Sequence, residues 1–98
     1  MGAGRAFTLP SMSELSRFYG MVVGMFFNEY GVPHFHVRYG EYKVSIAIED
    51  LRILEGGLPP RQLGMAMEWA ALHQKELLKD WELTSNLRNP DKIEPLKR

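Results

Sequence analysis

The clearest pattern in the chain is a strict alternation of apolar and polar residues from His34 to Tyr39, followed by a second alternation from Tyr42 to Glu49. Between them lies Gly40-Glu41, a two-residue connection with glycine first, which is the signature of a type II′ hairpin turn. If that turn closes the hairpin, paired positions sum to 81. Tyr39 then faces Tyr42, Val37 faces Val44 and Phe35 faces Ile46. On the opposite face Arg38 meets Lys43, His36 meets Ser45 and His34 meets Ala47. A one-residue slip would turn every side chain to the wrong face, so the agreement of pattern and turn on one register supports the hairpin. One face is core and the other is polar and locally basic.

The run from Phe18 to Phe27 is apolar on both faces and is expected as a single strand, central in the sheet. Gly20 and Gly24 fall on its face with Phe18, Val22 and Phe26. Glycine weakens a strand unless something approaches closely, so a helix or a partner is expected over that face. Residues 28–33, with Gly31 and Pro33, form a loop. A short strand is expected at Arg52–Leu54, ended by Gly56-Gly57. Pro59-Pro60 opens a helix over 60–85, where Leu63, Met67, Ala70, Leu77 and Trp81 recur at helical spacing. Gln74 interrupts that stripe, so a break near His73 into two helices is the alternative. The expected fold is α+β: a small antiparallel sheet of three to four strands followed by one long or two shorter helices packed on one face. Residues 1–11 carry no periodicity and are expected as a flexible N-terminal extension to one domain over 12–96. The tail segment, 87–98, is polar apart from the island Ile93-Glu94-Pro95-Leu96, which is expected to pack back on the domain, the alternative being a handle for a partner.

Composition narrows the functions. The 98 residues are 45% hydrophobic and 24% charged, an ordinary globular balance. Twelve Lys and Arg offset twelve Asp and Glu, so nucleic-acid binding would need a local basic patch rather than an overall excess. Cysteine is absent, which removes disulfides and cysteine zinc sites. Neither a bilayer-length apolar run nor a signal-peptide pattern is present, so a cytoplasmic protein without membrane association is expected.

Several short stretches together resemble the bacterial domain of unknown function 4160. They include Ser16-Arg17-Phe18-Tyr19-Gly20, Pro33-His34-Phe35-His36-Val37, Leu54-Glu55-Gly56, Glu68-Trp69-Ala70, Trp81-Glu82 and Ile93-Glu94-Pro95-Leu96. The resemblance runs from about Met12 to Leu96. It implies a small protein of the toxin–antitoxin-like kind, encoded beside another small protein, and brings no catalytic residues with it.

The candidate chemistry rests on His34 and His36. Alternate strand residues share a face about 6.5–7 Å apart, close enough for two imidazoles to reach one metal ion. Glu49, Glu68 and His73 are the acceptable further ligands, yet two histidines on a strand are weak evidence for a metal, and no cofactor is expected. Histidine also titrates near neutrality, and Arg38 or Lys43 could hold a phosphate beside it, as in a metal-independent ribonuclease. The structural alternative is that the histidines fix the loop-to-strand transition after Pro33 or rim an interface. Trp69 and Trp81 are expected to fill the core, with one available as a partner anchor. The favoured reading is an interaction protein that binds a small operon-encoded partner or a second copy of itself. Trp81, Ile93 and Leu96 are its candidate contacts, and RNA is the candidate ligand of the ribonuclease alternative.

Overall fold

A computed structural model describes residues 12–97, so the expected extension over 1–11 lies outside the described residues. Five strands come first: β1 (Ser13–Phe18), β2 (Met21–Met25), β3 (His34–Tyr39), β4 (Tyr42–Ala47) and β5 (Ile53–Gly56). Two helices follow, α1 (Pro60–Leu72) and α2 (Gln74–Ser85). The strands form one antiparallel meander in chain order. The α+β class therefore holds, with five strands rather than three or four.

The extra strand comes from the apolar run. Phe18 to Phe27 is not one strand: the chain reverses at Tyr19-Gly20, whose φ values of 47° and 80° are both left-handed, and Phe18 pairs with Met21. Left-handed φ at both central positions matches the right-handed twist of the flanking strands. Because Tyr19 stands where Asn or Asp is usual, nothing polar marks the turn. The reversal also moves Phe18 onto the core side with Met21, Val23 and Met25. Gly24 does have a close neighbour, but neither a helix nor a partner. A Cβ there would meet the Met12 side chain and, at 2.6 Å, the main-chain oxygen of Ser13. The β3–β4 hairpin has the expected register from His34 opposite Ala47 to Tyr39 opposite Tyr42, and Gly40 carries the positive φ of 57° that its turn requires.

Both helices build on the apolar side of the sheet. Trp69 of α1 is fully buried, its ring 5.4 Å from that of Phe18 and 6.2 Å from that of Phe35. Phe35, Val37, Val44 and Ile46 are buried beneath the helices. The helical stretch breaks at His73, the only non-helical residue between α1 and α2. Gln74, which interrupts the apolar stripe, donates through Nε2 to the carbonyls of Ile48 (2.7 Å) and Glu49 (3.1 Å) and so ties the start of α2 to the β4–β5 connection. At the other end of α2 the Asn28 N–H donates to the Thr84 carbonyl at 3.0 Å.

The tail is structural. Ile93 and Leu96 are 4% and 7% exposed within the core, and the Ile93 N–H donates to the Leu15 carbonyl at 2.8 Å. Both side chains named as candidate partner contacts thus lie in the chain's own core, beside the Trp69 indole, whose N–H donates to the Glu94 carbonyl.

Candidate functional site

The other sheet face is covered by a helix only at its His34 end, where Trp81 of α2 reaches it. Rows run across it. Arg17 on β1 pairs with Val22, Val22 with Arg38 and Arg38 with Lys43, so three cations share one row over four strands. The adjacent row runs Glu14, Gly24, His36, Ser45 and Glu55. Arg17 is bound to Glu14 at 2.9 Å. Arg38 and Lys43 are exposed, sit directly opposite each other, and make no ion pair among the described residues. Like charges in cross-strand register are destabilising, so this pair invites an anion. A cleft of about 320 Å³ opens here, lined by Phe26, His36, Arg38, Lys43, Ser45 and Glu55 among others.

His34 and His36 point to this same side, their rings 5.0 Å apart and edge to face. They are not equivalent. His34 is only 8% exposed, with the Trp81 indole of α2 5.0 Å from its ring. His36 is half-buried, with Phe26 packed edge-on at 4.8 Å, and it lines the cleft. Trp81 is thus half-buried against the chain's own histidine rather than wholly presented to a partner.

Glu29, from the loop between β2 and β3, completes the site. Its Oε1 lies 2.7 Å from His36 Nε2 and 3.1 Å from His34 Nε2. The other ring nitrogens are tied back: His34 Nδ1 lies 2.8 Å from the Val32 carbonyl and His36 Nδ1 lies 3.1 Å from Ser45 Oγ. A carbonyl can only accept, so His34 carries its proton on Nδ1 and, when neutral, presents a lone pair at Nε2. His36 can donate from Nε2 to Glu29 while accepting from the Ser45 hydroxyl at Nδ1. The result is a continuous chain from carboxylate to imidazole to hydroxyl, ending at the cleft.

The other proposed ligands stay apart. His73 bonds to Glu76 and packs its ring 5.3 Å from that of Trp69, and neither it, Glu68 nor Glu49 joins the Glu29, His34 and His36 group. Sequence reasoning missed Glu29 and the use of Ser45. Glu29 belongs to a loop that must return to the start of β3, which is the one signal that placed its carboxylate near His34. Ser45 stands opposite His36 in the expected register, but register alone does not say that its hydroxyl meets the ring nitrogen.

A protein-family model described as a domain of unknown function, DUF4160, matches residues 20–82. No curated protein matches. No solved structure matches either. Among the described residues no helix is long and apolar enough to cross a membrane.

Proposed function

The chain belongs to the DUF4160 family, whose description assigns no activity, and from the geometry of its open sheet face we propose that it binds the phosphodiester backbone of a single-stranded RNA. The observation that carries this is the direct cross-strand pairing of Arg38 with Lys43, unneutralised by any carboxylate among the described residues, at the rim of a cleft that also holds Phe26 and His36. The two cations supply the local charge that a chain of zero net charge otherwise lacks. Phe26 offers a base a ring to stack on. His34, the second acid–base group of the ribonuclease alternative, lines no part of that cleft and is held between Val32, Glu29 and Trp81. The geometry therefore favours holding the strand over metal-free cleavage by two histidines.

The test is fluorescence anisotropy of a labelled single-stranded RNA in the presence of chelator. Binding should weaken in Arg38→Ala and again in Lys43→Ala, with both variants folded. No binding by the wild-type chain at low salt would overturn the reading.

A second reading, pairing with a small operon-encoded protein or a second copy in a toxin–antitoxin-like arrangement, now rests on β5. All four residues of this edge strand are exposed, including Ile53 and Leu54. The opposite edge is different, since the tail bonds to Leu15 of β1. An open apolar edge is a template for strand addition. Co-purification with the product of the neighbouring gene, lost on Ile53→Lys, is the expected outcome. A chain that stays monomeric at high concentration and ignores that product would exclude it.

A further inference from the structure

We propose that Glu29, His34 and His36 form a binding site for a divalent cation of the zinc class. The inference stands on these side chains alone and not on the RNA reading.

Three donor atoms converge. Oε1 of Glu29 and Nε2 of both histidines all lie within 4.8 Å of one another. Zinc bonds of about 2.0–2.1 Å in a tetrahedral site set neighbouring donors about 3.3 Å apart. The Glu29 to His34 separation of 3.1 Å is already close to that value, and the Glu29 to His36 separation of 2.7 Å needs to open by roughly half an ångström on the same scale. The two histidines sit at alternate positions of one strand, so the backbone holds their spacing. Glu29 arrives from a loop and can make the adjustment.

The outer contacts are those of a metal site. His34 Nδ1 donates to the Val32 carbonyl at 2.8 Å, which leaves Nε2 as the ligating atom and fixes the ring plane. His36 Nδ1 is held at 3.1 Å by Ser45 Oγ. These bonds create a conflict when no cation or extra proton is present. The neutral His34 presents a lone pair to a carboxylate oxygen at 3.1 Å, in a setting where His34 is 8% exposed. Two acceptors facing each other in a poorly solvated place repel. A cation between them turns that repulsion into coordination, with the His36 proton moved from Nε2 to Nδ1, where the Ser45 hydroxyl oxygen at 3.1 Å accepts it. The competing relief is a single proton on His34 Nε2, and the experiment separates the two.

Two imidazoles and a carboxylate select borderline divalent ions over magnesium or calcium, which prefer oxygen donors alone. Three protein ligands leave a position for a water or a substrate oxygen in a four-coordinate site.

The test is isothermal titration calorimetry of the full chain, prepared without a polyhistidine tag, against zinc chloride and against magnesium chloride, with no RNA present. One zinc per chain is expected, and no heat with magnesium. Glu29→Gln should weaken zinc binding by about tenfold or more, and His36→Ala should abolish it. His73→Ala should leave it unchanged, which rules out the His73 and Glu76 pair as the site. Far-ultraviolet circular dichroism checks that Glu29→Gln and His36→Ala stay folded; His34 is not the test position, because it packs against Trp81. If either variant unfolds, the visible absorption of the cobalt form of the wild-type chain decides instead, through the presence or absence of its nitrogen-donor pattern. No zinc heat at millimolar concentration, or wild-type affinity in Glu29→Gln and His36→Ala, overturns the proposal. The RNA titration is run in chelator, so failure of either proposal leaves the other standing.

Discussion

The indole N–H of Trp69 donates to the main-chain carbonyl of Glu94 at 2.7 Å. This bond joins the most buried aromatic of α1 to a tail that has no regular secondary structure. It satisfies the one polar atom of a fully buried Trp and places Ile93 and Leu96 on either side of the contact, both in the core. An irregular segment can be as much a part of a small core as a helix when its few apolar side chains are spaced around such an anchor.

Truncation after Asn86 should therefore lower folding stability severely, rather than affect association alone. The indole would lose its acceptor and the core would lose two side chains. The milder Ile93→Ala should cost about 2–4 kcal/mol, the usual range for a buried Ile to Ala change. Urea denaturation followed by Trp fluorescence reads both. A truncated chain with an unchanged midpoint would show that the tail contributes nothing to the core.

Gly24→Ala should destabilise by about 1–3 kcal/mol. The new methyl would meet the Ser13 carbonyl at 2.6 Å, and main chain cannot swing aside as the Met12 side chain can. Hydrogen exchange should show faster exchange at the start of β1, while the amides of the β3–β4 hairpin keep their protection.

Asp80 is 1% exposed on α2. Burial pushes its carboxyl up from 3.8 to about 6, helped by the Asp91 and Glu76 charges and opposed by the Asp91 N–H and Lys79. Its Oδ1 accepts that N–H at 2.8 Å while Oδ2 has no partner. A carboxyl that holds its proton more tightly in the folded chain than in the unfolded one favours folding while protonated. Its contribution is complete below about pH 3.8 and is lost as the pH rises through about 6. Asp80→Asn keeps the Oδ1 acceptor and removes the charge. The variant should be more stable than the parent at pH 7 by on the order of 3 kcal/mol, and the difference should fade as the pH falls below 3.8. Thermal melts across that range check it; a parent that is the more stable of the two at pH 7 would contradict it.

The RNA reading also predicts a salt signature. Each phosphate contact on a single strand contributes about 0.7 to the slope of log affinity against log salt. Arg38→Ala and Lys43→Ala should each flatten the slope by about that amount, while Arg17→Ala should change it less because Glu14 already neutralises Arg17. Anisotropy titrations at several salt concentrations measure it.

The β3–β4 hairpin was legible to the residue from the chain alone. Alternation and a two-residue turn are local properties, and together they leave one register in which Phe35, Val37, Val44 and Ile46 share a face. Gln74 in the apolar stripe marked where the helix could break, at His73, but did not separate two helices from one continuous helix. The Tyr19-Gly20 reversal was not legible, since Phe18, Tyr19 and the apolar β2 read as one continuous apolar run and the turn has no Asn or Asp to mark it. The tail was legible in part: the apolar island at Ile93 and Leu96 pointed back to the domain, but the space beside Trp69 that receives it is set by the packing of α1 on the sheet.

For the site, local pattern determined that His34, His36, Arg38 and Lys43 share a face opposite the core, because side chains on a strand alternate with period two. Only the tertiary structure decided what surrounds them. The loop carrying Glu29 folds back so that its carboxylate meets both Nε2 atoms, and α2 brings Trp81 over His34, leaving His36 at the cleft. These contacts join residues from a loop, a strand and a helix, and Trp81 comes from more than forty positions further along the chain. No periodicity links such positions; they are set by how the elements pack, which is a property of the whole core.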